Sequence, residues 1–275
     1  MKTDNRILIS IPVYRNDTPS YVEKSISSIV CQLKENDKLI IQVDGFINDD
    51  LNKSILKYLD YKNISIFFYK INRGLPSVLN EAIQYFIDNN FTYFARMDAD
   101  DISMPDRLEK QYLFLENNKD IDVVGGAIEE IDEFSNSRGK IVYYPLSHNE
   151  CLKFFKQRDP IAHPTAFFRK SYFEKAGIYN ETYKKNQDTI LWYNGFKNNC
   201  KFANLDEVIL KYRITNDFFV NRRSGWNRAT NFLKDRFIIN YNLGFGILSY
   251  LYAFIFFILT ISPTFLKKIA YKYLR

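Results

Sequence analysis

Asp98, Asp100 and Asp101 follow directly on an apolar, aromatic run, Phe91 to Met97, in the stretch ARMDADDISMPDR from Ala95 to Arg107. Carboxylates two residues apart on a chain leaving a strand can converge on one divalent cation, and hard oxygen ligands of this kind suit Mg²⁺ or Mn²⁺. A cation held there would in turn hold a diphosphate. Acids beside Ser103 and Pro105 would also cap a following helix, since Asp and Ser favour N-caps and Pro is tolerated at the first helical position. Capping needs only one acid, however, and mutual repulsion makes the others costly without a counter-ion. The cluster therefore predicts a metal site, with Asp98 and Asp100 as its ligands.

Elements must bring such a cluster to a pocket, and the sequence alternates strands with helices at a suitable pace. Arg6 to Val13 is an apolar run ending at Pro12, and Ser20 to Leu33 has the spacing of an amphipathic helix. Lys38 to Val43 repeats the strand pattern and stops at Asp44-Gly45. A helical stretch near 52–61, a strand over 64–71 and a helix over about 76–89 follow, and the strand 91–97 leads into the acids. This order predicts a doubly wound α/β protein with a mostly parallel sheet, in which ligands bind beyond the carboxyl ends of the strands.

Polar punctuation falls at those ends: Pro12-Val13-Tyr14, Asp44, Asn72-Arg73-Gly74, then Asp98-Ala99-Asp100. Asp44-Gly45 alone is more often just a turn, and Arg73 alone more often a solvated charge. Four such ends converging on one crevice predict a nucleotide pocket. No G-x-G-x-x-G follows the first strand and no G-x-x-x-x-G-K-[ST] occurs, which argues against dinucleotide oxidoreductases and P-loop enzymes.

Composition bounds the class. The 275 residues are 46% hydrophobic and 17% aromatic, enough for one large core plus an appendage. Cys31, Cys151 and Cys200 are odd in number and far apart, and the first 20 residues lack the long apolar core of a secretory signal, so a reducing, cytosolic setting is expected. The net charge of +6 is modest, and basic residues gather only near the end, at Lys267, Lys268, Lys272 and Arg275. An anionic membrane surface is thus a better expected partner than nucleic acid. From Leu243 to Leu266 no residue is charged. Such a run is long enough for a helix across a bilayer core of roughly 30 Å. Gly244, Gly246 and Pro263 would equally permit a bent, interfacial helix.

The motifs IPVYRN, VDG, NRGLPSVLNEAI, ARMDADDISMPDRLEKQ, VVGG, HPTAFFRKSYFEKAGIY and QDTILW occur in that order between Arg6 and Trp192. In this order they resemble family 2 glycosyltransferases of the GT-A fold, above all the bacterial enzymes that build capsular, exo- and O-antigen polysaccharides. The resemblance implies residues 1–225 as the transferase domain, with about 1–105 binding the nucleotide sugar and 106–225 the acceptor, and residues 226–275 as a helical, membrane-associated segment. It also implies a nucleotide diphosphate sugar donor, Mn²⁺ or Mg²⁺ on the D-x-D acids, inversion at the anomeric carbon, and a lipid-linked or growing glycan acceptor at the cytoplasmic face of the membrane. Asp44 would then contact the base, Asp98 the ribose and metal side, and Asp100 the metal. The family's catalytic base is the second acid of a Glu-Asp pair; Gln187-Asp188 stands here, so Asp188 is the implied base and the glutamate is absent. Without that acid neighbour, the repulsion that would raise its pKa is missing.

His163, in the HPT segment, is expected near the phosphates, metal or acceptor, or as a histidine satisfying backbone at a strand start. Arg222 precedes the apolar tail, where a mobile basic loop would close over the donor diphosphate, or equally meet lipid headgroups. Trp192 reads as packing, and His148 as a loop or cap residue. A phosphotransferase would need its nucleophilic acid where Pro12-Val13-Tyr14 stands, and a nucleotidyltransferase a Gly-rich basic loop there. A nucleotide-sugar-binding scaffold descended from a transferase is the non-enzymatic alternative, with Gln187 as its one hint.

Overall fold

The structure, a computed structural model, describes residues 6–183, 185–215, 225–263, 265–267 and 270. Its first half follows the alternation read from the sequence: β1 (Ile7–Tyr14), α1 (Pro19–Val30), β2 (Lys38–Asp44), α2 (Asp49–Leu56), β3 (Ile64–Tyr69), α3 (Leu75–Asp88) and β4 (Tyr93–Arg96). These strands lie parallel in the order β3-β2-β1-β4. Successive side chains of a strand point to opposite faces. Ile7, Ile9, Ile11, Tyr93 and Ala95 accordingly pack with Val22, Ile26, Leu51 and Ile55 on one face of the sheet. Leu8, Phe94 and Ile40 pack with Leu79, Ile83 and Phe86 of α3 on the other.

The second half departs from a mostly parallel sheet. It comprises β5 (Ile102–Ser103), α4 (Arg107–Asn117), β6 (Val123–Ile131), β7 (Ser137–Val142), α5 (His148–Phe155), a 3₁₀ turn (His163–Thr165), β8 (Phe167–Arg169), α6 (Lys170–Ala176), α7 (Gln187–Lys197) and β9 (Phe202–Arg213). The sheet continues β4-β8-β6-β9-β5, with β7 beside β6. β8 runs antiparallel to both β4 and β6, β7 antiparallel to β6 and β5 antiparallel to β9; only β6 and β9 pair in parallel. The expectation of a mostly parallel sheet is corrected to a mixed one. Parallel neighbours need a long crossover, usually a helix, whereas antiparallel ones do not. The regular alternation on which the expectation rested ends at β4; beyond it strands follow strands, as in the β6–β7 hairpin.

Aromatic packing fixes the second half on the first. Trp192 of α7 stacks on Phe168 of β8 at 5.9 Å, meets Phe202 of β9 edge-on, and is fully buried, as its helical position suggested. Each such ring contributes about 1.5–3 kcal/mol by leaving water. The VVGG segment is explained here too: a Cβ on Gly125 would collide with Asn204 and Ile161, so only glycine lets β6 pass this close.

The chain ends in a helical hairpin, α8 (Trp226–Asn242) and α9 (Ile247–Ile261). The uncharged run 243–266, expected as a spanning helix or as one bent at Gly244, Gly246 and Pro263, is interrupted at those residues in the structure. Leu243 caps α8, Gly244 adopts a φ of +64°, Gly246 caps α9, and α9 stops before Ser262 and Pro263. At 1.5 Å per residue its 15 residues reach about 22 Å, short of a bilayer core. Among the described residues no helix is long and apolar enough to cross a membrane.

Candidate active site

The carboxyl ends of β1, β2 and β3 lie side by side. Tyr14 pairs in register with Asp44, and Asp44 with Tyr69. Asp44 is buried and its carboxylate accepts from the backbone N–H groups of Arg73 and Gly74, both at 2.8 Å. The Asn72 side chain donates to the Asp44 carbonyl at 3.0 Å. Asp44 therefore holds the β3–α3 loop against the end of β2. Gly45 makes this approach possible: its φ is +88°, and a Cβ would lie 2.8 Å from the Asn72 nitrogen. Arg73 pairs with Glu81 and stacks 4.1 Å over Tyr69. Pro12 is half-buried, Tyr14 exposed and the Val13 side chain inside the core, so Val13 offers the crevice only its backbone.

The acids leave β4 as expected. One oxygen from each of Asp98, Asp100 and Asp101 lies within 4.8 Å of the others. Helix α1 anchors the turn, for Ser25 donates to the Asp98 carbonyl at 2.8 Å and Ser28 accepts from Ser103 N at 3.0 Å. Ala99 between the acids is buried. Asp101 is fully buried; its Oδ1 accepts from Arg213 N at 2.8 Å, and its Oδ2 has no partner among the described residues. Burial first, then repulsion from Asp100 and Asp98, pushes its carboxyl well above the ordinary range. Three crowded hard oxygen donors, one with an orphaned buried atom, fit a divalent cation.

Sequence reasoning missed the basic side of this site. Arg96, at the end of β4, is buried and pairs with Asp98. Arg107 is fully buried, donates to the Arg96 carbonyl at 2.8 Å, and is lowered to about 9 by burial and by Arg96. Arg213 reaches the Asp100 carbonyl at 2.8 Å through Nε and stacks 4.1 Å over Tyr21. An arginine inside a strand that otherwise buries every residue is the signal that marks Arg96.

Asp188 lies in the first turn of α7, half-buried, where the helix dipole favours an acid. It accepts from Thr189 N at 2.9 Å. Burial raises its pKa above the ordinary carboxylate value, while Thr189 N, Arg96 and Arg228 pull it down. Arg96 thus acts on Asp98 and on Asp188 together. His163 is buried in the 3₁₀ turn, its Nε2 2.7 Å from the Tyr179 hydroxyl and its ring 6.0 Å from Trp192. Burial, then Arg96, lowers its pKa well below the usual value, so it is neutral. His148 opens α5, and its Nδ1 accepts from Phe202 N at 3.3 Å. Arg222 lies outside the described residues.

The chain has relatives among known proteins. A sequence profile described as Glycosyl transferase family 2 matches residues 8–177. The amylovoran biosynthesis glycosyltransferase AmsE of Erwinia amylovora is 30% identical over 219 residues, covering 80% of this chain and 80% of that protein. The UDP-Gal:α-D-GlcNAc-diphosphoundecaprenol β-1,3-galactosyltransferase of Escherichia coli is 28% identical over 229 residues, 83% of this chain and 81% of that protein. Among solved structures, S. aureus TarS 1-349 in complex with UDP-GlcNAc matches with a TM-score of 0.62 at 16% identity, covering 92% of this chain and 70% of that one, a likeness of fold.

Proposed function

The chain belongs to glycosyl transferase family 2, and from that membership we propose that it moves a sugar, with inversion, from a nucleotide diphosphate sugar to a hydroxyl of a lipid-linked or growing glycan in bacterial surface polysaccharide assembly. It is a glycosyltransferase with a GT-A-like α/β fold and a mixed sheet. The observation that carries the reading is the convergence of Asp98, Asp100 and Asp101 at the carboxyl end of β4, with Arg96 paired to Asp98. A UDP donor is supported by the relative named for UDP-Gal and the neighbour solved with UDP-GlcNAc.

The nucleoside lies along the ends of β1 to β3, against Tyr14, Asp44 and Arg73. The donor diphosphate lies over Asp98 and Asp100, which would hold Mn²⁺ or Mg²⁺. Such a cation, when bound, neutralises charge developing on the departing diphosphate. Asp188 takes the proton of the acceptor hydroxyl. The acceptor oxygen bonds to the anomeric carbon from the face opposite the diphosphate, and the carbon–oxygen bond to the diphosphate breaks, inverting the centre. A base works best when its pKa approaches the working pH, and burial raises Asp188 in that direction without an acid at Gln187. His163, held neutral on Tyr179, supports the floor of the site rather than supplying a charge. The exposed apolar residues of α9, including Ile247, Leu248, Leu251 and Ile258, support docking on the cytoplasmic face of the membrane, where a lipid-linked acceptor is found.

Calorimetry with UDP-Glc, UDP-Gal and UDP-GlcNAc in Mn²⁺ tests the assignment on the intact chain and on Asp100→Asn. One donor should bind only with the metal, and lose binding in the variant. Binding undiminished by Asp100→Asn would overturn the metal assignment, and a folded chain that binds none would overturn the donor class.

A further inference from the structure

The turn that carries Asp188 is held from outside its own helix as well as from within it. Asn186, the N-cap of α7, has a φ of +61° and its side chain makes no cap hydrogen bond. It donates instead to Asp235 of α8 at 3.4 Å, and Tyr183 bonds the same carboxylate. On the other side of Asp188, the Thr189 hydroxyl lies 2.9 Å from both oxygens of Asp159. Asp159 is 3.7 Å from Arg236, the residue after Asp235. Arg236 is 2% exposed, donates to the Phe155 carbonyl at the end of α5 at 2.6 Å, and packs 4.9 Å over the Phe155 ring. Packing alone does not close this region: a cavity of about 170 Å³ lies between α7 and α8, lined by Tyr183, Ile190, Tyr193 and Asp235 among others.

We propose that Asp235 and Arg236 are positioning residues for glycosyl transfer, two neighbours on α8 that grip the turn 186–189 from either side and set the place and charge of Asp188. Asp235 does so through Asn186 and Tyr183, Arg236 through Asp159 and Thr189. A buried ionic network specifies one arrangement only when its members are satisfied together. A misplaced base costs rate steeply, because the reacting atoms must meet in one geometry. The grip also joins the catalytic turn to the α8–α9 hairpin. The inference rests on Asp188 being the base, so its test includes a reading that does not need catalysis.

Arg236→Gln, Arg236→Lys and Asp159→Asn are compared with the wild-type full chain. Three quantities are read: binding of UDP with Mn²⁺, release of UDP from UDP-GlcNAc or UDP-Gal, and hydrogen exchange of the amides of 186–191. Arg236→Gln is expected to lower turnover tenfold or more, to speed exchange at 186–191, and to leave UDP affinity within twofold. Arg236→Lys should recover part of the rate. Asp188 faces Arg96 from β4, Tyr179, and Arg228 and Arg236 from α8; loss of the last charge should move the acid limb of the rate upward in pH. Turnover and local exchange both within twofold of wild type would overturn the proposal. If Arg236→Gln loosens the whole chain, Asp159→Asn decides by the same readings, since the Asp159 side chain is 30% exposed. Asp188→Asn separates the two claims: retained turnover refutes the base, and exchange at 186–191 then judges the grip by itself.

Discussion

Arg96 and Asp98, two residues apart, form an ion pair at the end of β4 in which the arginine is buried and the acid remains partly open to the crevice. The Nε and Nη1 groups of Arg96 have no hydrogen-bond partner among the described residues. Burial works against the charge of this guanidinium, and its ion pair with Asp98 outweighs that cost in keeping it protonated. The pair therefore links the stability of the carboxyl end of β4, in the middle of the sheet, to the charge of the site. Arg96→Ala should lower unfolding free energy by about 3–5 kcal/mol, the usual cost of breaking a buried pair, measured by denaturant titration. A loss under about 1 kcal/mol, the worth of an exposed pair, would show that the pair is not structural.

As the proposed base, Asp188 must be ionised to take a proton, and its folded pKa lies above the ordinary value because burial disfavours the charged form. Turnover should be full above that raised pKa and fall as pH drops through it, with the acid limb above the free-carboxylate value of about 3.9. Asp188→Asn should abolish transfer, by roughly 10²–10⁴-fold for loss of a positioned base, while UDP still binds. A rate profile flat down to pH 4 would contradict the role.

Gly45 permits the contact between Asp44 and the β3–α3 loop. Gly45→Ala forces an L-residue into a positive φ, at about 1–2 kcal/mol, and drives its Cβ against Asn72. Thermal melting should show the lost stability. Calorimetry should show weaker UDP binding, and unchanged affinity would mean that the loop contributes nothing to the nucleotide.

The α8–α9 hairpin shows apolar side chains to solvent along both helices, with Ile247 80% and Tyr241 81% exposed. The full chain is expected to cosediment with anionic vesicles, and Leu251→Asp with Ile258→Asp should release most of it. Equal sedimentation of the double variant would remove α9 from the contact.

Much of this architecture could be read from residue order because its causes are local. Continuous apolar runs mark β1 to β4 and helical spacing marks α1 to α3, and the acids after β4 stand where a strand must end. Composition alone marked residues 243–266 as apolar, but apolarity does not set helix length; Gly244, Gly246 and Pro263 do. The antiparallel course of β8 escaped notice because three residues, Phe167–Arg169, carry no usable period.

By itself, then, the sequence determined the strand ends, the acid cluster and the family resemblance, all properties of contiguous residues. Only the tertiary structure decided that Arg96, Arg107 and Arg213 converge beneath those acids, that Asp101 is sealed off, and that Asp235 and Arg236 reach the turn of Asp188. The physical reason is separation along the chain: Arg213 meets Asp101 across 112 residues, and no local pattern records a contact closed over such a loop.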